Sequence, residues 1–308
     1  MAVDFFVGLH HPNKAFWLDR AFVSVNALPK RGPILANEWV MDSGAFTKVA
    51  RDGGYTEPPS AYAARIREFA RSGTLRAAVA EDWMCERFVC ARVLGLPVHE
   101  LPETGPERER ALRRMLPDAE WAAQIREHQR LTIERYDALA ACDTAGIYVM
   151  PVLQGFTPWD YTRHLAEYGA RIAPGAWVGV GSVCKRQGSP RAIMQVLDAI
   201  HAARPDLKLH GFGVKLTALS SPRVARRLAS ADSMAWSLAA RNEGRDGNNT
   251  WEARYYELMV LKALGQEPGE HAYAFAMMLI RHQAIQGVEA YMEAARVGVV
   301  PMPSCLAP

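Results

Sequence analysis

What most constrains this chain is a repeated switch between two hydrophobic periods. Short β-rich apolar runs bounded by turn residues fall at residues 3–9, 22–27, 39–42, 75–80, 146–153, 176–181, 207–212 and 231–236. Segments with apolar positions at helical spacing lie between most of them, at 60–72, 118–141, 158–170, 189–203 and 221–229. Parallel neighbours need a crossover connection, usually a helix, so this alternation implies a parallel sheet. Eight strands in about 235 residues suit a closed barrel better than a doubly wound sheet. The expected fold class is therefore α/β, a (β/α)8 TIM barrel over residues 1–245. The polar stretch at about 84–117, with LPETGPERERALRR, reads as an insertion at the rim. After the turn-rich NEGRDGNN, helical segments at 250–265 and 270–297 read as a C-terminal helical extension covering 246–308.

Composition narrows the function classes. With 308 residues, 49% hydrophobic and 22% charged, the chain is an ordinary globular one that can bury a large core. The net charge is only +3, so a nucleic-acid partner would be held by local basic clusters rather than a global field. No apolar run approaches the roughly 20 residues of a membrane span, and Asp4 stands where a signal peptide would be basic. The expectation is a soluble, cytoplasmic protein with no membrane partner. The five cysteines (Cys85, Cys90, Cys142, Cys184 and Cys305) lack any CxxC or CxC spacing, which reads as buried thiols in a reducing compartment. A zinc at Cys85 and Cys90 would find only His99 or His128 nearby, so no metal and no cofactor is expected.

A barrel of this kind places its site where the strands end, and several apolar runs here close on polar residues. These are Asp42 in VMDSGAF, Glu81 and Asp82 in AVAEDWMC, Gln154 in MPVLQGF, Ser182 in GVGSVCKR, His210 with Lys215 in LHGFGVK, and Asp232 in ADSMAWS. Carboxylates, an amide and glycines converging on one mouth suit recognition of a flat polar heterocycle, together with an acid/base or nucleophile pair. Lys48, Lys185, Arg186, Lys215, Arg241 and Arg245 also follow strand ends and would ring the mouth with positive charge for nucleic-acid phosphates. By contrast ERERALRR and RVARR read as solvated helix faces. GVGS lacks the GxGxxG spacing of a dinucleotide site, and AYAFAMMLI reads as a helix buried against the barrel or a dimer partner.

Taken in order, DSGAF, VLQGF, GVGS, HGFGV and DSMAWSLAAR resemble the strand-end motifs of the tRNA-guanine transglycosylase superfamily over about residues 38–245. EDWMCE and the helical C-terminus look more like the DpdA-type enzymes that insert 7-deazaguanines into DNA, with an archaeosine-type nucleophile motif. The resemblance implies Asp232 as the nucleophile that attacks C1′ and Asp42 as the general acid/base. It implies Asp82, Gln154 and the backbone of Gly181 and Ser182 as groups that hold the base edge; Phe46, directly after the DSGA motif, is placed to stack on the purine, and His210 closes its strand among the substrate-binding candidates. Two carboxylates in one cleft can divide the work, one protonated and one ionised.

Three departures bear on the substrate. The CxCxxC…H zinc pattern of the tRNA enzymes is absent, Ser182 stands where a second glycine is usual, and His210 where a Met is usual. The expected function is replacement of guanine in DNA by a free 7-deazaguanine (preQ0-like) base through an aspartyl-glycosyl intermediate, with helicase-like or other DNA-modification partners. A tRNA transglycosylase without its zinc subdomain and a noncatalytic nucleic-acid-binding subunit are the alternatives; a homodimer is left open.

Overall fold

The computed structural model describes residues 2–102, 104–186, 189–267 and 269. Within them nine parallel strands form one sheet: β1 Asp4–Leu9, β2 Arg20–Ser24, β3 Glu38–Asp42, β4 Thr74–Val79, β5 Val149–Met150, β6 Val152–Leu153, β7 Trp177–Val180, β8 Lys208–Gly211 and β9 Ser230–Ser233. The strand order is β5-β4-β3-β2-β1-β9-β8-β7-β6. Its two ends are separated in sequence by one residue, Pro151. Ala80 N–H donates to Met150 O on one side and Gly179 N–H to Pro151 O on the other, both at 2.9 Å, so this segment seams the sheet into a nearly closed barrel. The single run expected at 146–153 is thus a stave interrupted by proline, which has no N–H to give the ladder. The run expected at 231–236 also ends early: backbone pairing stops at Ser233, and Ala235 starts a helix.

The helices are α1 Pro59–Phe69, α2 Arg87–Val93, α3 Pro106–Met115, α4 Asp118–Ala140, α5 Pro158–Tyr168, α6 Pro190–Ala203, α7 Leu216–Leu219, α8 Pro222–Ala225, α9 Ala235–Asn242 and α10 Thr250–Ala263. Local chemistry fixes several starts. Thr157 and Asp160 form a capping box on α5, Ser189 Oγ accepts from Ala192 N–H at α6, and Asn249 accepts from Trp251 N–H at α10. The segment expected as one helix at 221–229 yields only α8. The rim insertion is helical and carries its own core of Cys90, Ala91, Val98, Leu112 and Leu116, with Arg87 tying its two ends through Leu116 O at 2.8 Å. α10, inside the expected extension, packs on β1, α7 and α9. The helix expected at 270–297 lies outside the described residues, as does Cys305.

Strand alternation sorts side chains into two layers. Phe5, Val7, Trp39, Met41, Val178, Leu209 and Ala231 face outward to the helical shell, while Phe6, Phe22, Val40, Ala77, Val79, Met150 and Val152 fill the barrel interior. On β3 and β6, residues two positions beyond the inward set therefore open on the C-terminal mouth. That parity carries Asp42 beyond Val40 and Gln154 beyond Val152 to the same place. Among the described residues no helix is long and apolar enough to cross a membrane.

Candidate active site

A cavity of about 650 Å³ occupies this mouth, with Asp42, Asp82, Gln154, Gly181, Ser182, Phe46 and Asp232 on its wall. Asp42 ends β3, and Gly44 N–H returns to its Oδ2 at 3.1 Å. Gly44 turns at φ +71, and Asn26 packs against it and donates to its carbonyl at 3.4 Å, pinning the DSG turn. Burial pushes the Asp42 carboxyl up to about 6, opposed by the Gly44 hydrogen bond and reinforced by the negative charge of Asp232. Asp82 is pushed up to about 7, again chiefly by burial, with the Gln154 hydrogen bond opposing and Asp42 adding repulsion. Three carboxylates thus share one cavity, and burial moves two of them toward protonation near neutrality.

Gln154 is oriented at both ends. Its Nε2 donates to Asp82 Oδ2, and its Oε1 accepts from Ser182 Oγ at 2.9 Å. Its backbone is equally fixed, since its N–H donates to His164 Nδ1 at 3.0 Å and its carbonyl accepts from Gln129 Nε2 at 2.6 Å. Burial holds His164 down to about 3, leaving a ring nitrogen free to accept. A Cβ on Gly181 would collide with the Gln154 amide, so glycine is what lets the amide lie across the strand end. Both backbone groups of Gly181 are engaged within the protein, its N–H with Leu153 O and its carbonyl with Tyr161 OH at 2.6 Å.

Ser182 adopts φ +60, a left-handed conformation that suits glycine. Its hydroxyl bond to Gln154 offsets that strain. Ser182→Ala keeps the strain and leaves the Gln154 carbonyl unpaired, whereas Ser182→Gly removes the strain. The glycine variant is expected to be more stable than the alanine variant by about 1 kcal/mol in urea denaturation, reversing the usual order of these residues.

Asp232 is the penultimate residue of β9 and faces inward, beside Phe6 of β1 in register. Its Oδ1 accepts from Gly213 N–H at 3.0 Å and lies 3.2 Å from His210 Nε2. His210 is fully buried beneath the cavity floor rather than on the cavity wall, stacked on Phe22 with centroids 5.4 Å apart. Phe46 opens a π-helical turn after the DSG turn and stands 60% exposed at the lip.

The basic residues expected around the mouth are placed unevenly. Lys48 Nζ lies 3.5 Å from buried Glu81, which also accepts from Arg135 Nε at 3.0 Å, so Glu81 turns away from the cavity and Asp82 turns in. Arg186 donates to Phe156 O and covers the Phe156 ring. Arg241 bonds His10 and Ser237 Oγ, each at 2.6 Å, beside the end of β1. Arg245 pairs with Glu243 and Glu252. Lys215 caps α7, and Lys185 lies in the turn Val183–Arg186 with its side chain outside the described residues. Of the tryptophans, Trp236 donates to Gly8 O and Trp177 to Ser230 Oγ within the barrel wall; Trp159 is 70% exposed.

The sequence reading missed Ser24, Asn26, Glu86 and Met234 on the cavity wall. It also missed Gln129 and His164 behind it, whose only signal was a polar residue on the buried face of α4 and of α5. Cys85 and Cys90 are buried thiols, with Cys90 Sγ 3.8 Å from His128 Nδ1; among the described residues no cluster of three metal-ligating side chains occurs.

Fold and site together define an α/β-barrel protein with three aspartates on the wall of one cavity at its C-terminal mouth. A family model described as DpdA, DeoxyPurine in DNA protein A, matches residues 1–122 and 115–251, and the chain belongs to that family. Membership supports a DNA-modifying role of the transglycosylase type. No curated protein matches the chain.

Proposed function

We propose that this protein exchanges guanine in DNA for a 7-deazaguanine such as 7-cyano-7-deazaguanine, through a covalent bond between Asp232 and C1′ of the target nucleotide. The observation that carries the reading is the convergence of Asp42, Asp82 and Asp232 on one cavity, two of them raised toward neutrality. Asp232 Oδ2 attacks C1′, the C1′–N9 bond breaks, and its electron pair leaves with guanine, which takes a proton from Asp42. The incoming base returns a ring proton to Asp42, its nitrogen bonds C1′, and the bond to Asp232 breaks.

Asp82 meets the N1–H and N2–H2 donors of guanine and its 7-deaza analogues, and Gln154 holds it in place. Ser182 contributes at the base edge. Phe46, exposed at the lip, offers a face for the extruded purine. Arg241 at the β1 end, set there by His10 and Ser237 Oγ, is suited to a flanking phosphate, and Lys185 and Lys215 follow their strands toward the same mouth; the charges of Lys48 and Arg245 are matched by Glu81 and by Glu243 and Glu252.

Incubating the full chain with labelled guanine and either DNA or tRNA tests the polymer. Label is expected in DNA. Label in tRNA alone would reverse the substrate assignment, because an enzyme that needs the 2′-OH prefers RNA over the matching deoxy-oligonucleotide.

A further inference from the structure

We propose that His210, backed by Ser230 and Trp177, is a positioning residue that holds one oxygen of Asp232 and speeds breakdown of the covalent intermediate. This rests on the aspartyl reading above. Three observations carry it. The indole N–H of Trp177 donates to Ser230 Oγ at 2.7 Å, and that oxygen lies 2.8 Å from His210 Nδ1. Because the hydroxyl accepts from the indole, it can donate its own proton to Nδ1, which directs the Nε2–H at Asp232 Oδ1.

The second observation is the asymmetry of the carboxylate. Oδ1 has two donors, His210 Nε2 and Gly213 N–H, while Oδ2 has no partner among the described residues and Asp232 faces the cavity. The third is the setting: Phe22 stacks on the His210 ring, and Phe212 meets its edge at 4.8 Å, so the ring is locked and water is excluded. Hydrogen bonds to charge count for most in such surroundings.

The chemical consequence differs between the two halves of the exchange. In the first, Oδ2 forms the bond to C1′, and Oδ1 becomes the acyl oxygen of an ester, still held by its two donors. In the second, a nitrogen of the incoming base bonds C1′, the C1′–Oδ2 bond breaks, and the electron pair returns to the carboxylate, spreading onto Oδ1. The proton of that nitrogen passes to Asp42, which lost its own to the departing guanine. The two N–H groups therefore stabilise the leaving carboxylate in the second half, whereas in the first they stabilise its starting state. Removing one slows release more than attack.

The test uses the full chain and a mixed-sequence DNA oligonucleotide, with adduct followed on denaturing gels and then chased with guanine. His210→Met is expected to form adduct within about threefold of the parent rate but to release it roughly 10–100-fold more slowly. His210→Gln, which keeps a donor near the Nε2 position, restores release. Ser230→Ala, which does not alter the cavity wall, slows release by a smaller factor and guards against a folding defect in the methionine variant. Release at the parent rate in both His210→Met and Ser230→Ala, or failure of glutamine to restore it, overturns this inference alone. A parent protein that forms no adduct overturns the aspartyl reading and this inference with it.

Discussion

Asp232→Asn protein is expected to fold and to bind DNA as the parent does, yet to form no covalent adduct and to lose base exchange by a factor on the order of 10⁴–10⁶. The size of the effect follows from the site. Asp232 Oδ1 is fixed by Gly213 N–H and by His210, so an asparagine carbonyl can take its place in the same hydrogen bonds. What disappears is a negative oxygen facing the cavity, and a neutral amide does not replace it as a nucleophile. Asp42 and Asp82 lie too near in character to be dismissed as substitutes, but each is raised by burial and so carries less charge at neutral pH than an ordinary aspartate. An adduct seen with Asp232→Asn and mapped to either of them by peptide mass would move the nucleophile and sink the assignment. Unchanged thermal denaturation of the variant would show that the loss is chemical.

Much of this arrangement was legible before any coordinates, and the reason is the period of two along a strand. Once Val40 and Val152 are read as inward, Asp42 and Gln154 must follow them to the mouth. The same rule brings Ser230, His210 and Asp232 to one interior face, though no local pattern tells that His210 lies under Asp232 rather than beside the base. What parity cannot supply is behaviour beyond the last paired residue. Glu81 and Asp82 both follow β4, and only Arg135 on α4 and Lys48 after β3 decide that Glu81 turns away. Those partners lie 54 and 33 residues distant, beyond the reach of local pattern. The basic ring failed to read clearly for a similar reason. Position after a strand says that a cation is near the mouth, but Glu243 and Glu252 beside Arg245 are revealed only by folding. The break at Pro151 is hidden from the apolar pattern for a different reason: its carbonyl remains in the ladder while its N–H is absent.

The raised carboxyls predict different pH signatures for stability and for activity. Asp42 and Asp82 stand at about 6 and about 7 against an ordinary value of 3.8. The folded protein therefore binds more protons than the unfolded chain between about pH 4 and 7, and its stability falls as pH rises through that window. Asp82→Asn removes one of these groups, so the variant is expected to gain on the order of 2 kcal/mol over the parent at pH 8 and to lose that advantage by about pH 4. Urea denaturation at the two pH values measures it; an advantage that grows toward low pH would contradict the burial argument. Activity does not follow stability, because the proposed chemistry needs Asp42 protonated to serve departing guanine and Asp82 ionised to receive the donors of the base. Burial brings both carboxyls into the range near neutrality, so the competent pairing is most populated between about pH 6 and 7. kcat/KM for guanine is expected to be bell-shaped around that range, and Asp82→Asn to flatten the acidic limb while raising KM by roughly 10–100-fold, since the two base donors lose their charged acceptor. A parent profile that is flat from pH 5 to 8 would mean that neither carboxyl titrates in the step that limits exchange.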